Sequence, residues 1–271
     1  MNPMIEAFYN FKRLPFRKDI AGEEIFLSAA GKEMLQRLEY MKQNRGLMLV
    51  TGLPGTGKTL HLRAFTEQIN ANLYQCFYLP LSTVSTSEFY RQLAVALNAE
   101  DYWKKSQLFQ SIQRAIKQFV SNNKKIPIII FDEAHLLKNE NFYELQIISN
   151  FNMDSIDPAL FILVGQPHLR DRLLSPIHQA FNQRINLKFC LTPLGREETE
   201  QYINHHLKLA GRSSHSNEAL FSPSAIDAIH RNSSGTPRVI NTLAIKSLTL
   251  GALEKREVLS EEDVYAAYKE L

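Results

Sequence analysis

The chain has 271 residues, 44% hydrophobic and 22% charged, with a net charge of +3. This globular composition supports a large core and one domain, or a large domain with a small one. The weak positive balance permits nucleic-acid binding without arguing for it, since no basic cluster dominates. Cys76 and Cys190 lie far apart with no metal-type spacing, so they read as buried thiols in a reducing cytoplasm. The N-terminal MNPMIEAFYNFKRLPF has no long apolar core and is not a signal peptide. The longest apolar runs, IPIIIF and ALFILVG, fall far short of a span of ~20 residues, so no membrane partner is expected.

In chain order, residues 8–27 form an irregular segment rich in Phe and Pro. Residues 28–44 carry Met34, Leu35, Leu38 and Met41 at helical spacing. Leu47–Val50 reads as a buried strand, followed by a glycine loop and a helix over 58–70. A second strand is expected at 75–81, then helices near 87–98 and 107–121. IPIIIF, at 126–131, lacks polar alternation, as does ALFILVG at 159–165. Such strands are covered on both faces, as in a parallel α/β sheet. A helix is expected over 142–152 and a last strand over 184–191. After Pro193 only helical patterns remain. Glu197 and Glu198 suit a first turn, and Ser222-Pro223, Gly235-Thr236-Pro237 and Ser260-Glu261-Glu262 each begin a helix. The expected organisation is a segment at 1–45 packing on the α/β core, an α/β domain at 46–191 and a small all-helical domain at 192–271.

Residues 52–59, GLPGTGKT, fill the pattern G-x-x-x-x-G-K-[ST] between a strand and a helix. Glycine tolerates the dihedrals that turn backbone N–H groups toward one anion, and the helix offers its N-terminus to the same phosphate. Lys58 would reach the β- and γ-phosphates and Thr59 would ligate Mg²⁺. Gly52, Pro54, Gly55, Thr56, Gly57, Lys58, Thr59 and Leu60 are the expected nucleotide-binding residues. A chance glycine-rich turn is the competing reading, but it does not predict an acidic partner ending another buried strand. IIIFDEAH supplies that partner: Asp132 would hold Mg²⁺, and Glu133 would orient and deprotonate the attacking water. The strand at 75–81 lies between the two motif strands in sequence, as in P-loop ATPases with an additional strand. The expected activity is Mg²⁺-dependent hydrolysis of a nucleoside triphosphate.

With these motifs the chain resembles AAA+ ATPases, which implies a P-loop α/β domain, a helical lid and ATP as the nucleotide. ALFILVGQP puts Gln166 at the position of sensor 1. SSGTPRVIN resembles the sensor 2 motif, with Arg238 reaching the γ-phosphate. FNQRI resembles the segment bearing the arginine finger, which makes Arg184 the candidate and Arg170 and Arg172 its rivals. FYNFKRLPF, FDEAHLL, NFNMDS…LFILVGQPHLRDRL and SGTPRVIN together are similar to ExeA-type ATPases. Within that group they resemble the transposon-borne regulators of the TnsC, TniB and IstB kind. Secretion-type members carry a membrane segment; the chain to Leu271 carries none, which favours the transposition branch as an expectation. The resemblance implies a homo-oligomer, ring or helical filament, assembled with ATP on double-stranded DNA to recruit a DDE transposase. A secretion-pathway ATPase and a helicase-loader or initiator-like remodeller are the alternatives.

Weaker signals follow. Lys104 and Lys105 beside Trp103 are candidate DNA contacts, against the alternative of a solvated charge run. Tyr102-Trp103 reads either as core aromatics or as a base-stacking platform. Pro15 and Phe16 either wall an adenine pocket or pack in the core. His205 and His206 are adjacent on a helix, so they cannot share a metal and are expected to be partly exposed and structural. His135 completes the letters DEAH, but a helicase of that type needs a second RecA-like domain that the helical C-terminal region does not supply.

Overall fold

A computed structural model describes residues 3–80, 83–212 and 219–270. The elements run α1 (Pro3–Phe8), α2 (Ala29–Asn44), β1 (Gly46–Gly52), α3 (Lys58–Glu67), β2 (Tyr74–Pro80), α4 (Thr86–Ala96), α5 (Lys105–Ser121) and β3 (Ile126–Asp132). There follow α6 (Asn139–Ile148), β4 (Leu160–Gly165), α7 (Pro167–Leu174), α8 (Gln179–Gln183), β5 (Ile185–Leu191), α9 (Arg196–Leu209), α10 (Pro223–Ser233), α11 (Pro237–Leu253) and α12 (Glu261–Lys269). The chain divides into two compact units. One comprises Gly31–Gly52 and Lys58–Leu191; the other comprises the described residues of Met1–Ala30, Leu53–Gly57 and Thr192–Leu271.

The first unit is a parallel five-stranded sheet in the order β2-β3-β4-β1-β5. β1 and β4 are buried at every position and β3 at all but its first. Apolar side chains on both pleat faces therefore need cover from both sides, which is why these runs lack alternation. The edge strand β5 does alternate in exposure, whereas β2 is half-buried from Tyr74 to Phe77 and alternates only over its last three residues. Leu49, Phe89, Phe131, Phe142, Leu163 and Phe181 share one core. Fully burying each such side chain contributes about 1.5–3 kcal/mol. β4 lies between β1 and β3, so the two motif strands are not neighbours. This is a parallel α/β fold with a glycine loop after β1, followed in sequence by an all-helical region.

The second unit packs α1 and α9–α12 around Ile5, Tyr9, Tyr202, Ile229, Leu243 and Leu259. The Ser222 side chain caps α10 by accepting from the Ala225 N–H at 3.1 Å. At α12 the Asp263 carboxylate reaches back to accept from the Ser260 N–H at 2.7 Å and from its hydroxyl at 2.9 Å. Gly235 has φ 68°, and a Cβ there would lie 1.9 Å from the Leu194 carbonyl oxygen, so only glycine fits.

Four expectations need correction. Residues 3–30 belong to the helical unit, where Ile5, Tyr9, Phe11 and Phe16 are buried in its core. Cys190 is exposed, because β5 is an edge strand whose alternate side chains face outward; Cys76 is half-buried, and burial pushes its thiol up to about 11. His206 is buried rather than partly exposed, stacked on Phe16 at 5.2 Å. α7 and α8 fill a stretch with no helix anticipated, α7 beginning at Pro167 in the N1 position that proline favours. Among the described residues no helix is long and apolar enough to cross a membrane.

Candidate functional site

The glycine loop joins the buried end of β1 to the first turn of α3. Gly55 and Gly57 have φ of 84° and 99°, in the left-handed region. The turn is closed by the Thr56 hydroxyl, which donates to the Leu53 carbonyl at 2.8 Å. Pro54 is exposed, Thr56 buried and Leu60 half-buried. The Lys58 side chain folds back to donate to the Gly52 carbonyl at 2.9 Å, placing a buried ammonium under the loop. A buried ammonium there is a point charge suited to phosphate oxygens.

β3 ends at Asp132, which is 3% exposed. The Thr59 hydroxyl donates to its Oδ2 at 2.9 Å and the Tyr78 hydroxyl to the same oxygen at 2.7 Å. Burial, then the Asp132 contact, raises the Tyr78 pKa, so the phenol stays a donor. The Thr59 hydroxyl and the Asp132 carboxylate bring hard oxygen donors together from the loop and the next-but-one strand. That donor chemistry fits Mg²⁺, which takes one or two protein oxygens and completes its shell with phosphate and water. Glu133 follows in a left-handed conformation, φ 54° and ψ 33°, with its N–H bonded to Asp132 Oδ1 at 2.9 Å. The turn carries the Glu133 side chain out of the sheet, half-exposed, where it is accessible to water.

Gln166 caps α7 at the end of β4, and its amide nitrogen lies 3.1 Å from His135 Nε2. In the helical unit Arg238 stands on the first turn of α11 with its N–H bonded to the Gly55 carbonyl at 3.2 Å. Its guanidinium is exposed and makes no hydrogen bond or ion pair among the described residues. Arg184 is held within its own chain: it donates to the Gln146 carbonyl at 2.9 Å and pairs with Asp154. Arg172 is also engaged, bonding the carbonyls of His135 and Leu137 and Asn139 Oδ1. Arg170 is exposed, with no hydrogen bond or ion pair among the described residues.

Lys105 is paired with Glu144, which also accepts from the Tyr90 hydroxyl, so its charge is committed. Lys104 is exposed and unpaired among the described residues. Trp103 is 92% exposed with the Arg91 guanidinium 5.4 Å over its ring, whereas Tyr102 packs against the core. Pro15 and Phe16 line a small pocket with Arg13, Ile20, His206 and Leu209. Sequence reasoning missed Tyr78 and the link from His135 to Gln166. The first needs knowledge that β2 is adjacent to β3; the second needs the packing of β4 against the turn after β3.

Residues 41–173 match the family described as AAA domain. General secretion pathway protein A of Aeromonas hydrophila is 27% identical over 252 residues, covering 90% of this chain. The chain spans 44% of that curated relative. The ORC2 protein of Aeropyrum pernix, solved in ADPNP–ADP complexes, superposes with a TM-score of 0.69 at 15% identity. It covers 96% of this chain and 72% of its own. Drosophila ORC bound to DNA superposes with a TM-score of 0.65 at 15% identity, covering 99% and 65%. These two likenesses are of fold. The AAA domain is an ATP-hydrolysing module that works with Mg²⁺.

Proposed function

We propose that this AAA+ ATPase is a nucleotide-gated switch that assembles with ATP on double-stranded DNA, recruits a DDE transposase and dissociates on hydrolysis. The nucleotide half rests on the Thr59–Asp132 contact of 2.9 Å beside the buried Lys58. In this reading Gly52, Gly55, Gly57, Lys58 and Thr59 bind the phosphates, and Thr59 and Asp132 hold Mg²⁺. Bound Mg²⁺ neutralises phosphate charge. Glu133 accepts the proton of the attacking water, while Gln166 and Arg238 sense the γ-phosphate. Arg170 replaces Arg184 as the residue offered to a neighbouring subunit, because Arg184 is held within its own chain and Arg170 is exposed. An arginine supplied in trans makes hydrolysis depend on assembly.

The DNA half rests on the cluster of Arg91, Trp103 and Lys104. An exposed indole under a guanidinium beside a free lysine offers a cation to phosphate and a face to a sugar or base. Drosophila ORC, of the same fold, is bound to DNA in its structure. The transposase partner rests on the resemblance of the motifs.

The test is fluorescence anisotropy of Glu133→Gln on a random-sequence duplex with ATP, ADP or no nucleotide. ATP-dependent binding that weakens steeply with salt is the expected result. Absence of binding by folded, ATP-loaded protein overturns the DNA reading. It would favour a second reading, a secretion-pathway ATPase, which the similarity to General secretion pathway protein A supports.

A further inference from the structure

His135 is used by none of the roles above, yet it sits between two residues that are. Its side chain is 8% exposed, with Nδ1 3.3 Å from Glu133 Oε2 and Nε2 3.1 Å from the Gln166 amide nitrogen. An amide nitrogen carries only hydrogens, so Gln166 donates and His135 Nε2 must accept. The single proton of a neutral ring then belongs on Nδ1, which is buried beside Glu133 Oε2 but makes no hydrogen bond in this conformation, so a small turn of the exposed glutamate completes the contact. Burial lowers the pKa of His135, consistent with a neutral ring.

The residue is held through its backbone and one edge of its ring. Arg172 donates to the His135 carbonyl at 3.1 Å. The His168 ring stands edge-on at 5.0 Å and 90°. A Cβ at Gly165 would lie 3.2 Å from the His135 backbone nitrogen and 2.7 Å from Leu169, so glycine at the end of β4 is what admits the turn after β3.

We infer that His135 is a positioning residue, joining Glu133 and Gln166 into one line so that the water-activating carboxylate is oriented by the same amide that meets the γ-phosphate. The inference rests on Glu133 acting as the base. His135 fixes one rotamer of a half-exposed glutamate that solvent would otherwise leave free to turn.

The test uses the full chain and measures ATP hydrolysis and binding of a fluorescent ATP analogue. His135→Ala should lower kcat about tenfold or more, part of the ~10²–10⁴-fold a positioned base contributes, with analogue affinity within about twofold of wild type. Gln166→Ala should then cost less in the His135→Ala background than in wild type, because both changes break one line and only the amide's own contact with the γ-phosphate is left to lose. His135→Asn keeps an N–H where Nδ1 stood but cannot reach Gln166, so it should recover part of kcat. If His135→Ala no longer binds the analogue, His135→Asn decides by the same criterion of coupling to Gln166→Ala. An unchanged kcat, or effects of the two substitutions that simply multiply, overturns the inference while the base assignment stands. Wild-type hydrolysis by Glu133→Gln instead removes the base assignment, and this inference with it.

Discussion

Gly55→Ala probes the glycine loop where its geometry is tightest. A φ of 84° costs an L residue about 1–2 kcal/mol. The added methyl would sit 2.7 Å from Arg238 Cβ and 3.2 Å from Thr236 Cγ2. Neither atom is the far end of a flexible side chain, and the Arg238 N–H is itself bonded to the Gly55 carbonyl. Overpacking of this kind costs about 1–3 kcal/mol. The combined strain is about 2–5 kcal/mol, against a total stability of roughly 5–15 kcal/mol for a domain. If the loop keeps its path, the loss is in folding and urea denaturation without nucleotide reads it as a lower midpoint. If the loop shifts, the loss is in ATP affinity, roughly tenfold for each 1.4 kcal/mol, and analogue titration reads it. A Gly55→Ala protein matching wild type in both midpoint and affinity refutes the reasoning.

Two further outcomes follow from buried polar groups. The His206 pKa is lowered to about 4, first by burial, so the ring is neutral in the native state while an unfolded one charges below about 6.5. Stability is therefore full above that value and falls as pH drops toward 4. The loss from pH 7 to 5 is about 2 kcal/mol. Denaturation midpoints at the two pH values should show it, and His206→Leu should narrow the difference by about that amount, leaving the share of other buried histidines; an equal pH response in both proteins contradicts it. Tyr78→Phe deletes the donor on Asp132 Oδ2 and should cost about 1–2 kcal/mol, the low end for a bond to a carboxylate because Tyr78 is half-exposed. An unchanged midpoint would show the phenol to be dispensable.

Local pattern made much of this molecule legible. The uninterrupted apolar runs at 126–131 and 159–165 are β3 and β4, and GLPGTGKT spans the loop into α3. Such features depend on neighbours in the chain. What stayed hidden depends on distant ones. FNQRI marks Arg184 as available, but capture by Gln146 and Asp154 is a matter of how α6 and the segment after it fold back. Lys105 reads as a free cation until α5 packs beside Glu144. Trp103 reads first as a core aromatic, because a large apolar ring is more often buried, and only the course of the chain puts it on the surface. The first thirty residues have too little periodicity to reveal which core their aromatics enter.

The bonds of Arg172 carry a warning for genetics. Its guanidinium staples the carbonyls of His135 and Leu137, so an alanine there loosens the segment that follows Glu133. The mutant would resemble one lacking an arginine donated between subunits, since both lose turnover. Complementation separates them in the proposed assembly. A subunit lacking only a donated arginine keeps an intact pocket, and a Glu133→Gln neighbour with its own arginine restores turnover there. A subunit lacking Arg172 is damaged in its own pocket, and no neighbour can repair it.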